Sequence, residues 1–212
     1  MGEGLGRSKV LFRSLSETEI VEEMNWVGID FGAKLAGTTC VAFVKHGKIF
    51  IEQSEKRKDA DAWLQDIIRD LNPSFIFIDA PLSLPPAFTV SGSTEFFYRA
   101  ADRELHAMSP MFLGGLTARA MRLKKIWEGE SRQVFETYPA AIARHLSLMD
   151  YKKDKTKLVK QFRKTLRVVE MTIAESPTNW HQIDSLLAWY AGHRFVNGIA
   201  QRVGDSSGYI YL

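Results

Sequence analysis

The sequence predicts an α/β domain with a mixed sheet, in which three antiparallel strands continue into parallel strands and helices flank the sheet. Short apolar runs at 26–30, 75–79 and 133–136 have the β-branched and aromatic composition of buried strands. The first run leads into two further strand-like segments, 38–45 and 48–53, which form the antiparallel part as a tight hairpin.

Helices are expected to fill most of the remaining chain. Apolar residues recur at helical spacing over 61–71, and Asn72-Pro73 ends that helix. A helical insertion is expected at about 83–130, between elements of the core. The other segments with helical signals are 94–106 and 116–127 within the insertion, then 140–148, 152–170 and 179–195, before a last short strand at 209–212.

The length and composition are those of one globular domain. With 212 residues, 45% of them hydrophobic, the chain can bury a sizeable core. Residues 1–23 are rich in glycine, serine and charge and are expected to form a flexible arm before the domain at 24–212. The single cysteine, Cys40, excludes an intramolecular disulfide and favours a reducing compartment. Because no apolar run reaches the length of a membrane span, we expect a cytoplasmic protein without a membrane partner.

Acidic residues stand at the ends of the three apolar strands: Asp30, Asp79 and Glu136. Because sites in α/β sheets form beyond the carboxyl ends of parallel strands, these acids are expected to converge. A fourth acid, Asp184, lies about one turn into the last helix, on an otherwise apolar segment; His181, three residues earlier, is expected to be structural. A single aspartate at a strand end is often only a turn or capping residue. Four acids in such positions favour a shared site.

This predicted acid site requires positive charge. Carboxylates brought together repel one another unless divalent ions neutralise them, and ligation by oxygen alone suits Mg²⁺ or Mn²⁺. Two such ions about 4 Å apart can bind the attacking and leaving oxygens of a phosphodiester. We therefore expect Asp30, Asp79 and Asp184 to bind metal and Glu136 to bind metal or position water. The expected reaction is hydrolysis of nucleic acid, DNA or RNA, without a nucleophilic serine or cysteine.

Several segments carry a resemblance to a known family. They are Val27-Gly28-Ile29-Asp30, Ile78-Asp79-Ala80-Pro81-Leu82-Ser83-Leu84-Pro85, Arg99 through Arg103, Phe135-Glu136-Thr137-Tyr138-Pro139 and Ile183-Asp184-Ser185-Leu186-Leu187-Ala188. Together they resemble the ribonuclease H-like superfamily, which includes Holliday-junction resolvases and transposases. More closely, they resemble the bacterial and archaeal predicted nucleases known as domain of unknown function 429. The resemblance covers about residues 25–212.

The resemblance implies a ribonuclease H-like sheet with a helical insertion and a metal-dependent nuclease site at Asp30, Asp79 and Asp184. Asp79 stands where many resolvase-like relatives carry Glu. One alternative is a non-catalytic module that binds nucleic acid or protein on the same fold; acids at all four positions argue against it. A second alternative is the ATPase fold of sugar kinases, Hsp70 and actin, which also opens with a strand running into Asp-Phe-Gly. That fold needs a second, duplicated domain, for which this chain is too short.

Segment 152–170 is expected to bind the substrate backbone. It carries eight Lys or Arg and two acids, a net charge of +6, whereas the whole chain has +3. Helical spacing places five basic residues on one face, here named the basic stripe: Lys153, Lys157, Lys160, Lys164 and Arg167. Such a stripe can follow the phosphates of a nucleic acid. A helix face that is merely solvated is the alternative.

Two arginines of the insertion are further candidates for substrate binding. Arg99, Arg103 and His106 are spaced to share one face of the predicted helix at 94–106, where they would hold a phosphate near the acids. Surface ion pairs with Glu95 and Asp102 are the alternative.

Overall fold

The computed structural model of the chain describes residues 25–212, so the expected arm at 1–23 lies outside the described residues. The strands are β1 (Trp26–Asp30), β2 (Cys40–Lys45), β3 (Lys48–Gln53), β4 (Phe75–Asp79), β5 (Gln133–Thr137), β6 (Thr172–Ile173), β7 (Arg202–Asp205) and β8 (Gly208–Tyr211). The helices are α1 (Ala60–Leu71), α2 (Ala100–Leu105), α3 (Pro110–Leu113), α4 (Gly115–Gly129), α5 (Pro139–His145), α6 (Lys155–Val168) and α7 (Trp180–Val196).

The eight strands form one mixed sheet in the order β6-β3-β2-β1-β4-β5-β8-β7. β1, β4 and β5 are parallel neighbours, whereas β2 runs antiparallel to both β1 and β3. The predicted fold class, a mixed α/β sheet with an antiparallel hairpin part and parallel strands flanked by helices, is therefore confirmed. The connections between these parallel neighbours run through α1 and through the insertion, because two parallel strands can be joined only by a long crossover segment.

Local sequence signals set the ends of the elements near β1. His46 and Gly47 both have positive φ, 49° and 70°, which fits the two-residue turn that joins β2 to β3. The side chain of Asp59 accepts hydrogen bonds from the first turn of α1, and Asn72 ends that helix in the left-handed conformation. The N-cap of α7 is Asn179, as predicted, with its side chain accepting from Gln182 N.

Alternation along the strands divides the core between the two faces of the sheet. Residues such as Trp26 and Phe77 face α5, α6 and α7, whereas Val27 and Ile76 face α1 and α4. β1 carries Gly28 on the first of these faces. A Cβ atom there would lie 2.0 Å from the backbone nitrogen of Trp189, so glycine is needed for α7 to lie directly on the strand. This close packing brings the N-terminal turns of α7 to the end of β1.

The insertion differs most from the sequence-based expectation. The predicted helix at 94–106 is wrong over its first half: α2 begins only at Ala100. Glu95 is the local reason, because its carboxylate accepts from the amides of Phe97 and Tyr98 and so stabilises a turn instead. β6 and β7 were not predicted, since two and four residues at the sheet margins carry too little pattern.

No helix within residues 25–212 combines the length and the apolar character needed to cross a membrane.

Candidate active site

Asp30 and Asp79 lie side by side at the carboxyl ends of β1 and β4. The register of this parallel pair matches Ile29 with Ile78 and Asp30 with Asp79. Neighbouring strands are about 4.8 Å apart, and residues matched in register point to the same face of the sheet. The two carboxylates therefore share the face that packs against α7.

Asp184 of α7 completes a group of three, here named the acid cluster: Asp30, Asp79 and Asp184. Burial raises the pKa of Asp184 to about 6, and the charge of Asp30 contributes to this rise. Burial raises the pKa of Asp79 well above its ordinary value, and the charges of Asp30 and Asp184 raise it further. Burial also raises the pKa of Asp30. Because like charges act on a pKa mainly at short range, these carboxyls form one electrostatic unit.

Two basic side chains and a phenol bind the cluster at its margin. The ammonium of Lys152 lies 2.5 Å from Asp184 Oδ2, and the hydroxyl of Tyr151 donates to Asp184 Oδ1 over 2.9 Å. His181 Nδ1 lies 2.8 Å from Asp30 Oδ2, and this hydrogen bond raises the pKa of His181. The sequence did not indicate this contact: His181, which was expected to be structural, bonds a member of the cluster directly.

Asp79 differs from the other two aspartates. Among residues 25–212 its half-buried carboxylate has neither a hydrogen-bond donor nor an ion-pair partner, and burial raises its pKa. Such a carboxylate favours a nearby cation or a proton. Three carboxylates are the chemical type of ligand that a hard divalent ion such as Mg²⁺ or Mn²⁺ prefers.

The cluster is not arranged as a closed metal cage. In the described part of the chain, no three acidic, histidine or cysteine side chains stand in a metal-binding arrangement. Asp184 is bonded to Lys152 and Tyr151, and Asp30 is bonded to His181. To bind one ion together, Asp30 and Asp184 would have to turn from these partners toward Asp79.

Glu136 does not join the acid cluster as a third strand end. β5 continues one residue further, to Thr137, and the register matches Glu136 with Ile78 rather than with Asp79. Alternation therefore directs Glu136 toward the other face of the sheet. Both of its oxygens lie 2.6 Å from Arg99 nitrogens, and Leu82 N donates to one of them over 2.8 Å. Its carboxylate is thus already satisfied, although its charge still contributes to the raised pKa of Asp79.

Arg99 and Arg103 do not share a helix face. Arg99 precedes α2 as its N-cap residue and is only 1% exposed. Its guanidinium forms a second short ion pair with Asp102, 2.6 Å away, so that it joins two buried carboxylates. Arg103 instead pairs with Glu95 at the surface. The expectation of one phosphate-binding face with both arginines is therefore wrong, because the helix starts later than the sequence suggested.

A cavity opens next to the strand ends. Its volume is about 210 Å³, and Asp30 and Asp79 line one side of it. The insertion contributes the apolar side chains of Met108, Leu113 and Leu116 to the lining. The cavity therefore places uncharged surface of the insertion beside the carboxylates.

A second arginine attaches the insertion to the loop after β1. Arg119 of α4 donates to the buried carboxylate of Asp61 over 2.5 Å and to the carbonyl of Gly32 over 3.1 Å. Its guanidinium also lies over the ring of Phe31, 4.6 Å from the centroid. These contacts fix the chain directly beyond Asp30. No pattern in the sequence indicated them, since Arg119 is 58 residues from Asp61.

The basic stripe is exposed in the structure. Leu158, Phe162 and Leu166 bury the opposite side of α6, as the helical spacing predicted. Lys153 lies in the turn before α6 and the other four residues lie on it, all of them exposed. Within residues 25–212, Lys157 is the member of the stripe with an ion pair, to Asp154 over 3.5 Å. The stripe therefore presents charge that the described residues leave largely uncompensated.

Comparison with known proteins gives a similarity in structure. No family model matches the chain, and no curated protein matches it either, so the resemblance to domain of unknown function 429 stays a prediction. The fold is similar to that in the crystal structure of the yeast mitochondrial Holliday junction resolvase Ydc2, with 14% sequence identity and a TM-score of 0.45. The similarity covers 82% of this chain and 79% of the resolvase chain.

Proposed function

We propose that this protein hydrolyses phosphodiester bonds of nucleic acid, using Mg²⁺ or Mn²⁺ bound by Asp30, Asp79 and Asp184. The observation that supports this most strongly is the register of β1 and β4, which sets Asp30 beside Asp79 with Asp184 close to both. Such a concentration of buried negative charge is costly for stability, and an active site is a setting in which that cost is retained.

Each side chain of the cluster has its own role in this proposal. Divalent ions held by the three carboxylates would supply Lewis acidity to the attacking water and to the leaving oxygen. His181 holds its Nδ1 against Asp30 Oδ2, which leaves Nε2 as the ring nitrogen that can exchange a proton with the substrate. The desolvated setting of Asp79 strengthens its attraction for cations.

Glu136 and Arg99 receive a different role from the one the sequence suggested. Both oxygens of Glu136 are bonded to Arg99, and Arg99 also binds Asp102 at the start of α2. We assign these residues to positioning: they hold the insertion beside the cavity at the strand ends. We therefore do not assign substrate binding to Arg99. The exposed basic residues are the proposed substrate contacts instead.

The basic stripe is the proposed contact for the nucleic-acid backbone. α6 begins near the acid cluster, because Lys155 bonds the carbonyl of Thr178 just before α7. Its 14 residues extend about 21 Å from there. A nucleic acid lying along the stripe would thus reach the cluster at one end.

Reversing two charges of the stripe tests this contact. We expect Lys157→Glu/Lys164→Glu to weaken binding to DNA or RNA and to lower the slope of log K against log salt by about two. Fluorescence anisotropy with labelled oligonucleotides at several salt concentrations measures both quantities.

The matched control is Arg69→Glu/Lys125→Glu, which changes the net charge equally on α1 and α4, on the other face of the sheet. Both residues are exposed there. Equal weakening by the two double variants would show that only net charge matters, and unchanged binding in the Lys157/Lys164 variant would leave the stripe as a solvated face.

Metal titration combined with cleavage tests the function itself. We expect calorimetry to show Mg²⁺ and Mn²⁺ binding at millimolar concentration or below. We also expect cleavage of a nucleic acid in a panel of single-stranded, duplex and branched DNA and RNA, abolished by EDTA. A protein that binds no metal, even with nucleic acid present, and cleaves none of these substrates would be a binding module on the same fold.

A further inference from the structure

Lys152 lies at the edge of the acid cluster, where several groups contact its ammonium. Its ammonium lies 2.5 Å from Asp184 Oδ2, 5.2 Å from the centroid of the Tyr151 ring and 5.4 Å from that of the Trp180 ring. A carboxylate and two aromatic rings thus surround one cation. The Lys152 side chain nevertheless stays 46% exposed, so the ammonium can leave this position without crossing the core.

The backbone at Lys152 is held in a conformation that lysine rarely adopts. Its φ is 58°, in the left-handed region. The turn is closed by hydrogen bonds from the amides of Lys153 and Asp154 to the carbonyl of Asp150, both 2.9 Å long. Tyr151 adds its hydroxyl bond to Asp184. These contacts hold the Lys152 side chain next to the acid cluster.

The charge of Lys152 acts on the whole cluster. It lowers the pKa values of Asp30, Asp79 and Asp184, against the opposing effect of burial. His181 is the other basic group in contact with the cluster among the described residues, and it bonds Asp30 rather than Asp184. Lys152 is therefore the principal counter-charge on the Asp184 side.

We propose that Lys152 is a tethered counter-cation that competes with divalent metal for Asp184 and so sets the metal affinity of the acid cluster. This inference rests on the proposed function, since it concerns the metal of that site. A divalent ion bound by Asp184 and the ammonium on the same carboxylate would repel each other at a few ångströms. Metal binding therefore includes the release of Lys152 from Asp184 into solvent, and the cluster stays compensated in either state.

Calorimetric titration with Mn²⁺ tests the proposal on four forms of the full chain: wild type, Lys152→Met, Lys152→Arg and Lys125→Met. Methionine retains most of the apolar stem and removes the charge, arginine retains the charge, and Lys125→Met removes an exposed charge on α4, outside the acid cluster and the basic stripe. We expect Lys152→Met to bind Mn²⁺ about tenfold more tightly or better. The other two variants should stay within about twofold of wild type.

Thermal unfolding supplies a readout that does not depend on catalysis. Without metal, Lys152→Met should melt below wild type because Asp184 loses its counter-charge; with saturating Mn²⁺ this difference should close or reverse. A lysine with only a structural role would lower the melting temperature in both conditions and leave the Mn²⁺ affinity unchanged.

The outcomes separate the two proposals. If wild type binds Mn²⁺ and Lys152→Met binds it equally or more weakly, the role of Lys152 as a competitor is wrong and the proposed metal site stands. If neither wild type nor any variant binds Mn²⁺, the metal site of the proposed function is wrong, and the role of Lys152 falls with it.

Discussion

Asp79→Asn is expected to abolish metal-dependent phosphodiester cleavage while the protein stays folded. Asp79 lies beside Asp30 in register, and no side chain in residues 25–212 hydrogen-bonds its carboxylate. Asparagine has nearly the same shape but lacks the charge that binds a divalent ion. Metal catalysis is worth several kcal/mol, so a loss of about a thousandfold or more in rate is expected. Cleavage at saturating Mg²⁺ under single-turnover conditions measures this loss.

The same substitution is expected to stabilise the metal-free protein at neutral pH. Burial, Asp30 and Asp184 raise the pKa of Asp79, so the folded state binds this proton more tightly than the unfolded state. Asp79 therefore destabilises the fold increasingly as the pH rises above its unfolded pKa, and asparagine removes that effect. Urea unfolding in EDTA at pH 7 should show a higher midpoint for the variant. Below the unfolded pKa, where the carboxyl is protonated in both states, the difference should vanish.

Asp70→Asn is the matched control, because Asp70 is an exposed aspartate on α1. We expect wild-type cleavage and wild-type stability from it. Retained cleavage in Asp79→Asn would remove this residue from the site. A lower unfolding midpoint in EDTA would instead mean that Asp79 makes a stabilising contact.

The sequence was sufficient to predict that Asp30 and Asp79 lie close together, because their placement depends on short-range patterns of apolar residues. Each ends a five-residue apolar strand, and the parallel crossover through α1 then sets the two ends side by side. Glu136 shows the limit of this inference. One additional residue in β5 turns its side chain to the other face, and strand ends are uncertain by more than that from sequence alone.

The groups that surround the acids were not predictable for a different reason. Lys152 and Tyr151 reach Asp184 across 32 and 33 residues of sequence, and His181 reaches Asp30 across 151. Such contacts depend on how α7 packs against β1, which periodicity does not encode. The spacing of His181 and Asp184 is the one sequence signal that could have placed His181 near the acids, because residues three apart lie on one face of a helix.

Arg99→Met is expected to destabilise the fold strongly. Arg99 is 1% exposed and neutralises the buried carboxylates of Asp102 and Glu136. Removing the guanidinium leaves both acids without their countercharge, which typically costs about 3–5 kcal/mol in the free energy of unfolding. Urea unfolding at pH 7, analysed with a common slope, measures the loss.

Arg103→Met is the comparison variant: it removes the same charge as Arg99→Met, but from an exposed position instead of a buried one. Arg103 is 60% exposed and pairs with Glu95 at the surface, so about 0–1 kcal/mol is expected from its loss. Adding Glu136→Gln to Arg99→Met should restore part of the stability, since one uncompensated charge disappears. If Arg99→Met instead unfolds like Arg103→Met and weakens nucleic-acid binding, Arg99 contacts the substrate and the positioning role assigned to it is wrong. In this assignment the buried guanidinium of Arg99 joins the insertion to β5, and the exposed basic residues are the proposed contacts for the substrate.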